Sequence, residues 1–231
     1  MLQDVINYEV MGANTWKHAP SLERMSDTKL RLYLANTARD GRHQLQESRP
    51  VPQASFVQSV DFADRSDADV AANSAIIDRA LDSRNSIVFE SDALDRATEV
   101  SGLFSGQLDF ETNKKDMDVD IRLFEQLPSG EYFRLSYTQF RASYARDRST
   151  RRLLPIGKRQ TLDFRSEILT SRLMQKGSRI VILLGIVKGP DMQINYGTGK
   201  DVSDETIEDA GTALRIKWFS DSYVELPVTR W

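Results

Sequence analysis

Three aspartates at alternate positions, Asp116, Asp118 and Asp120, would share one face of a β-strand. Like charges two residues apart need a cation, a metal or water between them, and the chemistry this opens is calcium binding. The competing arrangement is a solvated face with an arginine partner. It is favoured because an EF-hand-like glycine is absent and one strand rarely provides enough oxygen ligands. A second group is basic: Arg141, Arg146, Arg148, Arg151, Arg152, Lys158 and Arg159, relieved only by Asp147. Anion or nucleic-acid binding is open to it, but in an acidic chain a solvated hairpin loop or a face docking on an acidic partner fits better. Asp201, Asp204, Glu205, Glu208 and Asp209 read as an exposed loop or helical turn. His18 and His43 sit in no motif that supplies a catalytic partner, so each reads as a surface or interface histidine.

The remaining catalytic patterns are missing. No Gly-x-Ser-x-Gly elbow occurs; Gly102-Leu103-Phe104-Ser105-Gly106 comes nearest, with the wrong spacing and strand-like neighbours. No phosphate-cradling loop and no His-Glu-x-x-His is present, and Gly197-Thr198-Gly199 reads as a turn. The chain has 231 residues, two histidines and no cysteine, which excludes disulfide frameworks, zinc fingers, iron–sulfur clusters and thiol nucleophiles. A net charge of −3 argues against a dedicated nucleic-acid binder. No catalytic, metal-binding or cofactor-binding residue is therefore assigned. Met1–Val5 carries no basic segment, and the longest apolar stretch, from Ile180 through Val187, is far short of the ~20 residues a spanning helix needs. No membrane partner is expected. The compartment stays open between cytoplasm and export.

The elements that would position these residues are mostly strands. Lys29–Leu34 and Asp116–Leu123 alternate polar and apolar with period two. Ser86–Phe89, Tyr132–Leu135, Thr161–Phe164, Leu214–Trp218 and Tyr223–Leu226 are further strands. Arg179–Val187 is apolar without alternation, as a strand buried on both faces should be. Turns fall at Pro128-Ser129-Gly130, Pro155-Ile156-Gly157 and Gly189-Pro190-Asp191. About ten strands at this spacing predict a β-sandwich or jelly roll. One segment breaks the rhythm: Val70, Ala71, Ala75, Ile76, Ile77, Ala80 and Leu81 fall near helical spacing and predict a short inserted helix over 69–82.

The order of motifs resembles the C-terminal, non-catalytic domain of the X-Pro dipeptidyl-peptidase and cocaine-esterase-like (CocE/NonD) serine hydrolases. Tyr8–Trp16, with Ala19-Pro20, is similar to the segment by which that family leaves its catalytic domain. Lys29–Leu34, Phe89–Leu94 and Val100-Ser101-Gly102 follow in the family's order. The most specific stretch joins the acidic strand Asp118–Leu123, a turn with Pro128 and Gly130, and Arg141-Ala142-Ser143-Tyr144. Lys176–Val181, Asn195-Tyr196-Gly197-Thr198-Gly199 and Leu226-Pro227-Val228 complete it. The signature residues are Trp16, Asp118, Arg141, Tyr144, Asn195 and Gly197.

The resemblance implies an all-β jelly-roll sandwich of galactose-binding-like type, a single domain over 1–231 with residues 1–26 as the leading junction. It implies an accessory, non-catalytic role beside an upstream α/β-hydrolase domain, whose Ser, Asp and His map onto nothing here. That domain is the expected partner, packed so as to shape substrate access; a homo-oligomer is compatible with the reading. Val5–Trp16 should sit at the junction and would leave Tyr8, Met11 and Trp16 exposed without it. Asp118 and Arg141 are expected to form a charge-assisted pair between neighbouring strands. The alternative is a carbohydrate-binding module, for which Tyr196, Trp218 and Tyr223 are the available aromatics.

Overall fold

The run Arg179–Val187 lacks polar alternation because both of its faces are covered. In the computed structural model, which describes residues 3–66, 75–189 and 191–230, Ile180, Ile182, Leu184 and Ile186 enter the main core while Val181 and Leu183 enter a smaller cluster on the opposite face. Around this strand the chain builds β1 (Ile6–Val10), β2 (Thr15–Ala19), β3 (Thr28–Arg39), β4 (Arg42–Gln46), β5 (Ser55–Val60), β6 (Ile77–Asp78), β7 (Ser86–Glu90) and β8 (Thr98–Gly102). It continues through β9 (Ser105–Thr112), β10 (Asp118–Gln126), β11 (Tyr132–Arg141), β12 (Gln160–Arg165), β13 (Thr170–Met174), β14 (Arg179–Ile186), β15 (Leu214–Phe219) and β16 (Tyr223–Arg230). Among the described residues there is no α-helix, only four short 3-10 turns.

The hydrogen-bonded path runs β5-β15-β9-β16-β3-β4-β7-β14-β10-β11-β6, and folds back on itself as an all-β sandwich. β3 makes the crossing. Its first half pairs with β16 and its second with β4, with a register shift between Leu34 and Ala38. Such an irregularity bends the strand and lets one chain serve both layers. Trp218, Phe110 and Leu108 from one layer meet Phe89, Ile121 and Leu184 from the other in a single core. The indole N–H of Trp218 stays satisfied there, donating to Gln58 Oε1 at 2.9 Å. β12, β15 and β16 alternate buried and exposed residues as one-sided strands do.

The helix expected over 69–82 does not appear where the structure describes that segment. Residues 69–74 lie outside the described residues. From Ala75 to Asp82 the chain is not helical, and Ile77 and Asp78 instead pair with Phe133 and Tyr132 at the edge of β11. A free strand edge offers ladder hydrogen bonds to Ile77, whose β-branched side chain suits a strand. Leu81 packs against the outer cluster of Phe124, Tyr132, Val181 and Leu183. Of the apolar residues read as a helical stripe, Leu81 covers the outside of β14, while Ile76 and Ile77 stay exposed.

The N-terminal hairpin, β1 with β2, stands outside the main sheet and has its own small core of Tyr8, Val10, Ala19, Met25 and Leu173. Backbone bonds tie its tip to β13, from Met11 N–H to Ser171 O at 3.1 Å and from Leu173 N–H to Met11 O at 2.9 Å. A charge fastens it too. Lys17 Nζ reaches the fully buried carboxylate of Glu99 on β8 at 2.6 Å, and Ser101 Oγ donates to the same carboxylate at 2.8 Å.

Two outcomes follow from these ties. Replacing Lys17 by Met removes the ammonium from a buried carboxylate and should cost about 3–5 kcal/mol in urea unfolding, the range for breaking a buried pair. A second test is acid. Asp221 is held below the ordinary carboxylate value by hydrogen bonds from Arg49, then Arg159, against the opposing effect of burial. Its contribution is therefore fully present above the unfolded-state value and is lost as pH falls through the lower folded value. Wild type and Asp221→Asn should differ in urea midpoint at neutral pH and converge in acid.

Candidate functional site

Five of the six signature residues named from the sequence, Asp118, Arg141, Tyr144, Asn195 and Gly197, lie at one loop end of the sandwich, where β10 begins and β11 ends. Asp118 and Arg141 are direct cross-strand partners in the β10–β11 register. The guanidinium grips the carboxylate with both ends, Nε to Oδ1 at 2.9 Å and Nη2 to Oδ2 at 3.0 Å. Asn195 donates through Nδ2 to the same Oδ1 at 2.8 Å, and its own Oδ1 accepts the N–H of Gly197 at 3.0 Å. Gly197 is in the left-handed region at φ +77°, and a Cβ there would lie 2.6 Å from the carbonyl oxygen of Asp116. Glycine is thus demanded by conformation and by space.

Asp116 is the buried centre of this end. Its Oδ1 accepts the N–H groups of Met117 at 2.9 Å and Ser143 at 3.0 Å. Its Oδ2 accepts Ser143 Oγ at 2.6 Å and Arg151 Nη2 at 3.1 Å. Arg151 continues to the carbonyl of Lys200 at 2.6 Å. Glu205 organises the neighbouring loop, accepting the N–H groups of Tyr196 at 2.7 Å and Thr198 at 2.8 Å, and Thr198 Oγ1 at 2.5 Å. Lys114 is buried beside it and donates to the carbonyl of Ala210 at 2.7 Å. Burial lowers the pKa of Lys114, and the negative Glu205 partly opposes that shift.

Asp116, Asp118 and Asp120 do not form a shared face of one strand, because β10 starts only at Asp118. Each meets an arginine instead. Asp116 has Arg151, Asp118 has Arg141, and Asp120 lies 2.9 Å from Arg122. Burial pushes the Asp120 carboxyl above its ordinary value, against the pull of Arg122 and Gln139. Among the described residues no group of three or more His, Asp or Glu is placed to hold a metal ion.

The basic cluster does not act as one surface. Arg159 grips Asp109 and Asp221, and Arg148 meets Glu167 on the exterior. The acidic stretch forms two 3-10 turns, Val202–Asp204 and Ile207–Asp209, but Glu205 between them is buried and engaged. Tyr144 closes the 3-10 turn Ala142–Tyr144 and is half-buried at the rim of a groove of about 380 Å³ shared with Phe140, Phe164 and Arg165. His18 lies 3.5 Å from Asp4, and His43 stacks on Phe56 and Phe89; neither is hydrogen-bonded to a serine hydroxyl among the described residues. Of the aromatics available for sugar, Tyr196 and Trp218 are core residues, and Tyr223 lies under Arg31 at 4.1 Å.

Trp16 is apart from this loop end. It sits on β2 with 69% of its surface exposed, and Met11 at the hairpin tip is 40% exposed. Tyr8, expected to be exposed with them, is buried; its hydroxyl donates to Met25 O at 3.2 Å. Strand parity is the reason. Tyr8 and Val10 share the inward face of β1, and Trp16 pairs opposite Glu9 on the outward one.

The described residues form a two-layer all-β module whose buried carboxylates hold strands and loops together. The model for the X-Pro dipeptidyl-peptidase C-terminal non-catalytic domain matches residues 3–204, and the chain belongs to that family. Solved structures share the fold. An aminopeptidase from a marine sediment Thaumarchaeota archaeon aligns over 96% of this chain and 40% of its own, with TM-score 0.81 and 17% identity. An α-amino acid ester hydrolase aligns over 96% of this chain and 41% of its own, with TM-score 0.77 and 20% identity. A CocE/NonD family hydrolase from Staphylococcus aureus gives 96%, 40%, 0.64 and 13% for the same quantities. A search of curated proteins finds no match. The chain thus spans about 40% of the length of these solved relatives.

Sequence reasoning missed three members of the site. The sequence pattern groups Asp116 with a strand it precedes, Glu205 with an exposed acidic stretch and Arg151 with a surface cluster. Only Glu205 has a local signal, since the amides it holds lie seven to nine residues away. Replacing Asp116 by Ala leaves Arg151 and the Ser143 hydroxyl without their acceptor, and should cost about 3–5 kcal/mol. Urea unfolding checks the cost, and faster hydrogen exchange at Ser143 and Arg152 would locate it.

Proposed function

We propose that this chain is the accessory domain of a serine hydrolase of the acyl esterase or X-Pro dipeptidyl-peptidase type. It packs on an upstream α/β-hydrolase domain through its leading segment, residues 3–26, and narrows the approach of substrate. The observation that carries the reading is Trp16. A tryptophan on the outward face of a hairpin fastened to the domain by Lys17 and Glu99 is a pre-positioned anchor, and indole rings contribute disproportionately at interfaces. The hairpin is the first element of a domain that is C-terminal in its family, which supports a contact between it and a preceding domain. Loops and exposed apolar residues at such a junction bury part of the partner and restrict access to it.

The test compares the 231-residue chain with the longer polypeptide encoded by the same reading frame. Trp16 fluorescence, isolated as the difference between wild type and Trp16→Phe, should be quenched by acrylamide in the short chain and protected in the long one. Trp16→Ala in the long chain should loosen the domain contact by about 2 kcal/mol or more, the scale of a buried tryptophan anchor. A reading frame with no hydrolase domain upstream, or robust turnover of a chromogenic ester by the short chain alone, would sink the proposal.

A further inference from the structure

The loop from Arg151 to Arg159, Arg-Arg-Leu-Leu-Pro-Ile-Gly-Lys-Arg, is apolar in the middle and basic at both ends. Its four charges divide into two kinds. The outer arginines are structural: Arg151 is held by Asp116 and Arg159 by Asp109. The inner pair, Arg152 and Lys158, is exposed, and neither side chain makes an ion pair or hydrogen bond among the described residues. Between them Leu153 is 43% exposed and Ile156 51% exposed, with Pro155 also at the surface.

The loop is also rigid. Leu154 is buried, and its N–H donates to Lys115 O at 2.7 Å. Arg152 N–H donates to Ser143 O at 2.7 Å and Gly157 N–H to Thr112 O at 2.8 Å. Three backbone ties, a buried leucine and two anchored arginines therefore fix nine residues. The backbone of the loop is thus ordered before binding, leaving only the exposed side chains to be fixed, which is how preorganisation raises affinity.

We infer that this loop is a second docking element, whose partner is an apolar hollow rimmed by carboxylates on the hydrolase domain; the identity of that partner rests on the function proposed above. Leu153 and Ile156 fill the hollow, and Arg152 and Lys158 meet its rim. Charge complementarity selects this occupant, since two exposed cations without a close ion-pair partner among the described residues flank the apolar tip, Arg152 acting on Asp147 only at longer range. An anionic lipid surface has the same chemistry in outline but fits less well. The carboxylates Asp201, Asp204 and Glu208 are exposed on the adjoining loop, whose Lys200 carbonyl Arg151 holds. A uniformly anionic sheet would meet them, whereas a small rim can avoid them.

Lysine acetylation read by mass spectrometry tests the contact, with exposed Lys176 as the internal reference. In the longer polypeptide Lys158 should react about tenfold more slowly than in the 231-residue chain, the factor corresponding to 1.4 kcal/mol. Ile156→Asp, a surface change, should restore its reactivity without changing the urea midpoint of the short chain. Unchanged Lys158 reactivity with Trp16 protected overturns the loop contact and leaves the hairpin junction standing. Lys158 protected with Trp16 still quenchable does the reverse. Protection of Lys158 in the short chain by phosphatidylserine vesicles, without protection in the long one, overturns the inference in favour of a membrane.

Discussion

Burying a carboxylate is expensive unless its charge is matched and its oxygens are hydrogen-bonded, and four such groups set the organisation of this domain. Glu99, Glu125 and Asp116 have no exposed side-chain surface, and Glu205 has little. Each is satisfied by a partner from another part of the chain. Glu99 takes Lys17 and so fixes the N-terminal hairpin. Glu125 takes Arg172 at 2.8 Å and Ser178 at 2.7 Å, binding β13 and the start of β14 to β10. Asp116 draws in the segment from Ser143 to Arg151, and Glu205 draws in Tyr196–Thr198. The apolar core holds the two layers together without direction. The carboxylates specify which loop lies where.

That division explains what was legible in the sequence. Strands with one wet face announce themselves by alternation, as Thr161–Phe164 and Tyr223–Leu226 do, and β14 by its lack of it. The Asp118–Arg141 pair was accessible because both residues bound one antiparallel hairpin, where partners lie opposite each other. Asp116–Arg151 spans 35 residues and Lys17–Glu99 spans 82, and no local pattern relates such positions. The segment ending at Leu81 misled for a different reason. Its apolar spacing suits a helix, yet its described part lies at the β11 edge and its leucine covers β14, so tertiary context overrode a weak local preference. The burial of Tyr8 could have been read from parity alone, once Val10 was placed inward.

Family membership assigns a non-catalytic domain, and the geometry shows what such a domain has in place of an active site. Its polar groups converge on one another. Arginines that look like an anion-binding surface are mostly partnered within the chain, whereas among the described residues Arg152 and Lys158 make no close ion pair, Arg152 acting on Asp147 only at longer range. The likeness at 13–20% identity to an aminopeptidase, an α-amino acid ester hydrolase and a CocE/NonD family hydrolase is a likeness of fold, and fold does not fix function.

How such a domain influences a neighbouring reaction is constrained by its stiffness. A lid that gates an active site needs low local stability, few buried contacts and a hinge that absorbs backbone rotation. The loop end here has the opposite character. Asp116 receives four hydrogen bonds, Glu205 three, and Gly197 is wedged against the Asp116 carbonyl with no room for a side chain. Opening any of these loops would expose a carboxylate together with the donors it satisfies, and lose several charge-assisted bonds at once. Access to a neighbouring site would therefore be set by where this domain is placed, not by movement within it. On the function proposed above, placement would depend on the hairpin, which is tied to the sandwich by Lys17 on Glu99 and by the Met11 backbone on β13.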